Sequence, residues 1–406
     1  MLLSVIKTKA NSLSKLPKNA CAYPFKSAML MHGVDATPCC RFHNRFLGEG
    51  DRQHVDTFDA SFADIRETMM RNEWHPGCFK CKADEETKGS SMRTEADEFF
   101  SDFTDDVKLE YLEITVGRLC NLKCMSCGPD FSHTWDDDSI KLKMETAETI
   151  KKLKSKQELD LDDINVDMLR DLRYIKVTGG EPFLHRQFLN FVVRLADAGL
   201  APNIQIEIFT NCTWWPKKTD YNALLQFKHI TISASIDAYG GVNDALRAPS
   251  KWEQVEATLD KWIAMRSEYP GKVTVKTATT VNVVNAAYMF EFVYWAKIVK
   301  DIDVILQTVY EPHYLSIQHW PDWFKKKLEF TIRMQFSDQI KPGKMRPLRD
   351  LLYGICKPNG VEDNSTDYMK DIRQVLRIRD QLDTSWPELR KFKDLVELDV
   401  PSINWD

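Results

Sequence analysis

The sequence predicts an α/β protein built on a parallel sheet, and two observations carry that prediction. Between residues 109 and 335, six apolar segments of strand length alternate with segments of helical periodicity. The first of them alternates apolar and polar residues, as a strand does. A strand followed by a helix six times over implies parallel strands with right-handed crossovers, two units short of a closed eight-stranded barrel. The predicted strands are 109–116, 173–178, 204–210, 229–236, 272–281 and 302–309.

Helices are predicted between these strands and on both sides of them. Within the alternating region they cover 140–156, 187–200, 220–227, 252–269 and 286–300. One helix is expected earlier, at 58–70, and two later, at 367–382 and 387–396. The acidic segment 94–108 between the N-terminal part and the first strand is predicted to be a solvated linker or a short helix.

Length and composition limit the possible classes of protein. With 406 residues, of which 43% are hydrophobic, two or three domains with a sizeable core are expected. The net charge of −5 provides no general surface for a polyanion such as nucleic acid. No apolar run has the length of a signal peptide or a membrane span, so a cytoplasmic protein is expected. The predicted segments are 1–103, a cysteine-rich module; 104–335, the barrel; and 336–406, a helical extension without a chemical motif.

Three cysteines follow the first predicted strand. Cys120, Cys124 and Cys127 have the spacing C-x3-C-x2-C. Four cysteines usually hold a [4Fe–4S] cluster, so three leave one iron without a protein ligand. An open coordination position is what a catalytic metal site requires. Cys212 and Cys356 are isolated and are expected to be buried thiols.

Polar residues stand at the predicted carboxyl ends of the other strands, where active sites form in parallel β/α folds. They belong to five segments that would share one rim and could form one site. In chain order they are Gly179, Gly180, Glu181 and Pro182; Asn211; Ser235 and Asp237; Asn282; and Tyr310.

The cysteine spacing, followed by Gly-Gly-Glu-Pro after the second strand, resembles the radical S-adenosylmethionine (radical SAM) superfamily. The resemblance implies a (β/α)6 partial barrel whose lateral opening admits a large substrate. It also implies that the open iron binds the amino and carboxylate groups of SAM. One electron then cleaves SAM to methionine and a 5′-deoxyadenosyl radical, which abstracts a hydrogen from the substrate.

The same resemblance assigns site residues. Two glycines allow the backbone of residues 179–182 to approach a ligand, and with Glu181 it would receive the SAM amino group. Ser235 and Asp237 match the S-x-D segment near the ribose, and Arg247 could pair with the SAM carboxylate as a fork donor. Asn211 lies in T-N-C, where the family often has T-N-G. No catalytic side chain beyond the ligands is predicted.

Five more cysteines lie in the first hundred residues: Cys21, Cys39, Cys40, Cys78 and Cys81. In a cytosolic chain such clustering favours metal binding over disulfides. The five could supply a four-cysteine site that uses Cys21, Cys78, Cys81 and one of Cys39 or Cys40. Both structural zinc and an iron–sulfur cluster suit such a site.

The order of these cysteines among other residues resembles the SPASM/twitch module, which carries an auxiliary [4Fe–4S] cluster. The residues that match are Pro24, Phe25, Pro38, Glu85, Gly89, Ser91 and Arg93. In two respects this chain departs from the module. The module usually follows the barrel, whereas here it precedes it, and Gly33 lies further from the Cys39–Cys40 pair than is typical.

The resemblance also implies partners: a peptide or protein substrate, and an electron donor such as flavodoxin or ferredoxin. Two alternatives stay open. One is a radical SAM enzyme that acts on RNA or a small molecule, which the basic segments 151–156 and 341–349 permit. The other is a zinc-stabilised binding protein without catalysis, for which His133 is the nearest additional ligand.

Overall fold

The sheet that carries the predicted site is larger than the sequence predicts. The structure is a computed structural model that describes residues 17–31, 36–43, 58, 60–100, 106–155, 161–336, 352, 354–380 and 387–397. Over these residues one eight-stranded sheet forms in the order β2-β1-β3-β4-β5-β6-β7-β8. The strands are β1 Ser27–Leu30, β2 Ala36–Thr37, β3 Tyr111–Thr115, β4 Tyr174–Thr178, β5 Gln205–Thr210, β6 His229–Ala234, β7 Val273–Val281 and β8 Asp303–Thr308.

The α/β class and the parallel sheet are confirmed. Each of the six predicted strands is present as β3 to β8, with ends within two residues of the prediction. All neighbours from β1 to β8 run parallel, and β2 pairs antiparallel with β1. The sequence did not predict β1 and β2, because strands of four and two residues are too short to show a period of two. The N-terminal cysteine region therefore extends the parallel sheet.

Helices cover the outer face of the sheet and lie at its edges. Over the described residues the α-helices are Tyr23–Lys26, Ala63–Met70, Phe79–Lys88, Met92–Phe99, Asp136–Lys141, Ala147–Ser155, Arg186–Asp197, Lys218–Leu224, Gly241–Leu246, Trp252–Glu268, Met289–Tyr294, Asp322–Phe336, Ser365–Asp380 and Arg390–Glu397. Among these residues no helix is long and apolar enough to cross a membrane.

One helix prediction was wrong in detail. The predicted helix 140–156 is two helices, because Lys143 has a φ of +59° and the Thr146 hydroxyl accepts a hydrogen bond from the Thr149 backbone N–H. Thr146 thus starts the second helix as its N-terminal cap.

For the segment 94–108 the structure has the second of the two predicted alternatives, a short helix, Met92–Phe99, which covers its first residues. Phe100, directly after that helix, is buried and packs edge-on against Tyr111.

The two faces of the sheet differ in chemistry. The outward-pointing residues of the central strands, such as Ile175, Ile206 and Ile232, are fully buried in the core. The inward-pointing residues at mid-strand are charged. The register places Glu113 opposite Lys176 and Lys176 opposite Glu207. A closed barrel normally fills this space with branched apolar side chains.

The charged side chains of this layer are paired with each other. Lys176 Nζ lies 2.9 Å from a Glu113 oxygen, and Lys276 Nζ lies 2.8 Å from a Glu207 oxygen. Below the layer, towards the amino ends of the strands, the rings of Tyr111 and Tyr174 stack with centroids 5.3 Å apart. Along this face, from the amino to the carboxyl ends of the strands, stacked aromatic rings come first, the charged layer second and the predicted site residues last.

The C-terminal helices lie at the same end of the sheet as the predicted site. The backbone N–H of Lys391 donates to the Tyr288 hydroxyl, 2.7 Å away, in the loop after β7. The helix Ser365–Asp380 contacts the segment His313–Leu315, after β8, and the helix Asp136–Lys141, after β3. The extension thus bridges the first and last strand–helix units. The boundaries of the three predicted segments stay a prediction.

Candidate active site

The structure brings Cys120, Cys124 and Cys127 together in the loop after β3. Cys120 and Cys124 are buried, and Cys127 is half-buried. Burial raises the pKa of Cys127 to about 12, and the neighbouring thiols of Cys124 and Cys120 add to that rise. The three thiols therefore form one local group at the carboxyl end of the first barrel strand.

Arg247 lies beside this group. The backbone N–H groups of Lys123 and Met125 donate to the carbonyls of Ala248 and Leu246, at 2.6 and 2.8 Å. Arg247 Nη1 donates to an Asp237 carboxylate oxygen at 2.8 Å. Its Nε is buried and has no hydrogen-bond partner among the described residues. A buried donor without a partner is costly, so this atom is a candidate ligand contact.

The Gly-Gly-Glu-Pro segment packs directly on the cysteine loop. Gly180 N–H donates to the Gly117 carbonyl and Glu181 N–H donates to the Leu119 carbonyl, both at 2.9 Å. A Cβ on Gly180 would lie 2.2 Å from the Leu119 carbonyl oxygen, and Gly179 has a φ of +119°. The glycines are thus required for contact between two loops, a reason that the sequence interpretation did not include.

The Glu181 carboxylate is fully buried and joins β4 to β5. It accepts hydrogen bonds from the Asn211 backbone N–H at 2.7 Å and from the Thr210 hydroxyl at 2.8 Å. Burial raises the pKa of Glu181 to about 7, although these hydrogen bonds act in the opposite direction. Because its side chain is occupied within the protein, backbone groups of residues 179–182 are better placed than this carboxylate to meet a ligand.

Asn211 links the end of β5 to the cysteine loop. Its Nδ2 donates to the Asn121 side-chain oxygen at 2.9 Å and lies 3.9 Å from Cys120 Sγ. Its own side-chain oxygen accepts from the Thr213 backbone N–H at 2.9 Å. Asn121 and Thr213 were missed in the sequence, since neither type of residue is a metal or nucleophile signal.

The remaining predicted rim residues have local partners. Ser235 N–H donates to the Thr210 carbonyl at 2.7 Å. The Asp237 carboxylate accepts from the Thr280 N–H at 2.9 Å in addition to Arg247. Asn282 is buried, and its side-chain oxygen accepts from the Val284 N–H at 2.9 Å. Asn282 therefore shapes its own turn.

His133, the additional ligand considered for zinc, is engaged with the loop backbone. Its Nδ1 lies 3.3 Å from the Cys120 backbone nitrogen and 3.2 Å from the Arg118 carbonyl oxygen. Trp135, which the sequence did not single out, donates from Nε1 to the Cys124 carbonyl at 3.2 Å. Over the described residues, no three His, Cys, Asp or Glu side chains are grouped as ligands of a single metal ion.

A second group of cysteines surrounds a narrow cavity in the N-terminal region. Cys21, Cys39, Cys78 and Cys81 all line it. Its other walls are mostly apolar and include Tyr23, Pro24, Phe42, Met69, Trp74 and Met92. Cys40 is exposed and lies outside the cavity. Gly33 and the basic segment 341–349 lie outside the described residues.

Glu85, Ser91 and Arg93, which carried the resemblance to the SPASM/twitch module, hold this region together. Arg93 Nε and Nη2 donate to the two Glu85 oxygens at 2.8 and 2.6 Å. Arg93 Nη1 donates to the Ala20 carbonyl at 3.0 Å. Arg93 lowers the pKa of Glu85, chiefly through these hydrogen bonds. The network joins the residue before Cys21 to the helix that carries Cys81.

Known proteins with similar sequences are enzymes. A GTP 3′,8-cyclase from Listeria welshimeri is 25% identical over 233 residues, which are 57% of this chain and 62% of that protein. One from Pelotomaculum thermopropionicum is 23% identical over 156 residues, 38% of this chain and 43% of that protein. The chain thus spans less than two thirds of either relative. These matches support the resemblance to radical SAM enzymes, which bind SAM and a [4Fe–4S] cluster. No family model matches the sequence.

Solved structures overlap with this chain only in part. Streptococcus suis SuiB bound to S-adenosylmethionine has a TM-score of 0.34 and 16% identity, covering 55% of this chain and 44% of that one. Native anSMEcpe with bound AdoMet has a TM-score of 0.36 and 18% identity, covering 63% of this chain and 64% of that one. Overlap at this level supports no conclusion about this chain.

Proposed function

We propose that this chain is a radical SAM enzyme that holds a [4Fe–4S] cluster through Cys120, Cys124 and Cys127. The observation that carries the proposal is the grouping of these three thiols beside Arg247, at the carboxyl ends of parallel strands. Thiolates are the ligands of such clusters, and three of them leave one of four irons for a small-molecule ligand. The donor set and its location therefore fit the group.

The neighbouring residues fit SAM. Arg247 offers a buried, unpartnered Nε beside the cysteine loop, and a guanidinium binds a carboxylate with two parallel hydrogen bonds. Backbone groups of Gly179 and Gly180 would receive the amino group. Ser235 and Asp237 would lie near the ribose, with Asp237 also orienting Arg247. Asn211 and Asn282 would act as positioning residues.

When bound and reduced by an external donor, the cluster would supply one electron for cleavage of SAM to methionine and a 5′-deoxyadenosyl radical, which would take a hydrogen atom from the substrate. The protein residues position the reactants and exclude water. Glu181 fixes the Gly-Gly-Glu-Pro loop against β5 through buried hydrogen bonds. The C-terminal helix Ser365–Asp380, which contacts segments after β3 and β8, would limit access of solvent to the site.

An auxiliary iron–sulfur cluster in the N-terminal cavity is part of the proposal. Its donor set is cysteine only, and the mostly apolar walls are typical of a shielded redox group rather than of a site open to water. Flavodoxin or ferredoxin is the expected source of electrons.

The first candidate substrate is a peptide or protein, and the resemblance of the N-terminal residues to a module common in peptide-modifying enzymes supports it. A second candidate is a small molecule such as a nucleotide, and the similarity to GTP 3′,8-cyclases favours it. Only the basic segments 151–156 and 341–349 favour an RNA substrate. The two leading candidates make different predictions for GTP in the absence of a peptide. GTP is consumed if the substrate is a nucleotide and is not consumed if the substrate is a peptide.

The proposal is tested with protein purified without oxygen and reconstituted with iron and sulfide. Addition of dithionite and SAM should yield 5′-deoxyadenosine, measured by liquid chromatography. Cys124→Ala should abolish this product and remove about four irons. Cys212→Ala, which changes a buried thiol outside both cysteine groups, should change neither. Reduced, iron-loaded protein that forms no 5′-deoxyadenosine would argue against the proposed activity.

The substrate candidates are separated in the same assay. Added GTP should accelerate 5′-deoxyadenosine formation and disappear from the mixture if the substrate is a nucleotide. If the substrate is a peptide, GTP should have no effect, whereas a precursor peptide encoded near the gene should acquire a mass change.

A further inference from the structure

We infer that Cys39, and not Cys40, completes the N-terminal ligand set with Cys21, Cys78 and Cys81, and that Cys40 is an exposed free thiol. The inference rests on the proposed auxiliary group but not on the proposed SAM reaction. It separates two adjacent cysteines that sequence spacing cannot distinguish.

The cavity itself selects Cys39. Its walls include the four cysteines Cys21, Cys39, Cys78 and Cys81, and Cys40 is not among them. Cys21 and Cys81 are each 8% exposed, whereas Cys40 is exposed to solvent. Cys39 and Cys78 are half-buried. A group held by four thiolates requires all four beside one space, and these four line the same cavity.

The four thiols of the set share the walls of one narrow cavity. Four thiolates around one cavity would repel each other, and a bound cationic metal group would remove that repulsion.

Cys40 lies outside that cavity. It is exposed, and its Sγ lies 3.7 Å from Sδ of Met92, a residue of the cavity wall. Cys39 and Cys40 follow β2 in a turn in which the Cys39 carbonyl accepts from the Thr37 hydroxyl at 3.3 Å and the Phe42 N–H at 3.2 Å. The two adjacent cysteines therefore differ in that only Cys39 lines the cavity.

The ligand count has a consequence for the role of the N-terminal group. Four thiolates fill the outer position of all four irons of a cluster, whereas the group after β3 has only three. A substrate therefore has no coordination site at the N-terminal group. Direct contact of a ligand with iron would then be limited to the group after β3, whose three cysteines leave one position open.

The test counts metal in a chain that has only the N-terminal group. In a Cys120→Ala/Cys124→Ala/Cys127→Ala background, iron, zinc and sulfide are measured after anaerobic reconstitution. Cys39→Ser should lose the roughly four irons of that background, and Cys40→Ser should keep them. The reverse result, equal loss in both variants, or a background chain that binds no metal would each overturn the inference. SAM cleavage by the otherwise unchanged chain is measured separately, so failure of the proposed function is distinguishable.

A second measurement covers the case in which Cys39→Ser does not fold. Native, metal-loaded wild-type protein is treated with N-ethylmaleimide, and the modified cysteines are identified by mass spectrometry. Cys40 should be labelled at least tenfold faster than Cys39, and chelation of the metal should remove the difference. Faster labelling of Cys39 than of Cys40 in the loaded protein would contradict the assignment.

Discussion

Cys124 and Arg247 lie opposite each other because the two chain neighbours of Cys124 donate backbone hydrogen bonds to the two chain neighbours of Arg247. Lys123 and Met125, on either side of Cys124, donate to Ala248 and Leu246, on either side of Arg247, at 2.6 and 2.8 Å. These bonds involve no side chain of either residue. The position of the cysteine loop relative to Arg247 is therefore set by the backbone, and the two side chains can be changed independently.

Arg247→Met should weaken SAM binding while the cluster stays in place. A hydrogen bond to a charged group contributes about 1.5–3 kcal/mol, so the dissociation constant should rise by roughly ten- to hundredfold. Equilibrium dialysis with labelled SAM measures the affinity, and iron analysis checks the cluster. Arg170→Met, which removes an exposed arginine whose partner Asp167 is also exposed, is the matched control and should bind SAM normally. Wild-type affinity in Arg247→Met would show that this residue does not meet the carboxylate.

Gly180→Ala should destabilise the cysteine loop. A Cβ at this position would lie 2.2 Å from the Leu119 carbonyl oxygen, so one of the two loops must move. Overpacking of this kind costs about 1–3 kcal/mol or more. We expect a lower thermal midpoint and loss of iron from the group after β3. Gly128→Ala is the control, because a Cβ there has no neighbour within 4 Å and the residue follows Cys127 directly. Equal behaviour of the two variants would contradict the packing argument.

Lys276→Met should destabilise the fold at neutral and alkaline pH. Lys276 and Glu207 have side chains only 7% and 5% exposed and form an ion pair at 2.8 Å. Burial alone would raise the pKa of Glu207, but Lys276 and other hydrogen-bond donors hold it below its usual value. Loss of one partner of a buried pair costs about 3–5 kcal/mol, measurable by urea unfolding.

The pH dependence of this variant follows from the remaining carboxylate. Without Lys276 the pKa of Glu207 should rise above that of the unfolded chain, so protonation stabilises the folded state and the loss of stability shrinks as pH falls. The double variant Lys276→Met/Glu207→Gln should recover part of the loss. If the loss of unfolding free energy in the double variant equals the sum of the losses in the two single variants, the two side chains are not coupled.

The free energy of unfolding should fall as pH rises towards neutrality because Glu181 is buried. Its pKa in the folded chain is about 7, above the usual carboxyl value, because it is fully buried. The folded state therefore binds a proton that the unfolded state has released between about pH 4.5 and pH 7. Stability is lost as pH rises through this window, by on the order of 3 kcal/mol. Urea unfolding of Glu181→Gln across pH 5–8 should show a smaller slope than wild type, and an identical slope would exclude Glu181 as the cause.

Strand periodicity, helix patterns and the cysteine spacing are local properties, and the sequence by itself determined what depends on them. They predicted β3 to β8 within two residues and located Cys120, Cys124 and Cys127 after the first barrel strand. The rule that active sites lie at the carboxyl ends of parallel strands identified the rim. The helix break at Lys143 was missed, since a single left-handed residue leaves little trace in a periodic pattern.

Contacts between distant residues were decided only by the tertiary structure. The addition of β1 to the sheet depends on pairing with β3, about 80 residues later in the chain. The charged layer depends on register, which joins side chains from separate strands. Packing between distant residues also decides the close contact that requires Gly180, the partners of Glu181 and the fact that Cys39 lines the cavity whereas Cys40 does not. Residue type and spacing predict which groups can act, but packing decides which of them meet.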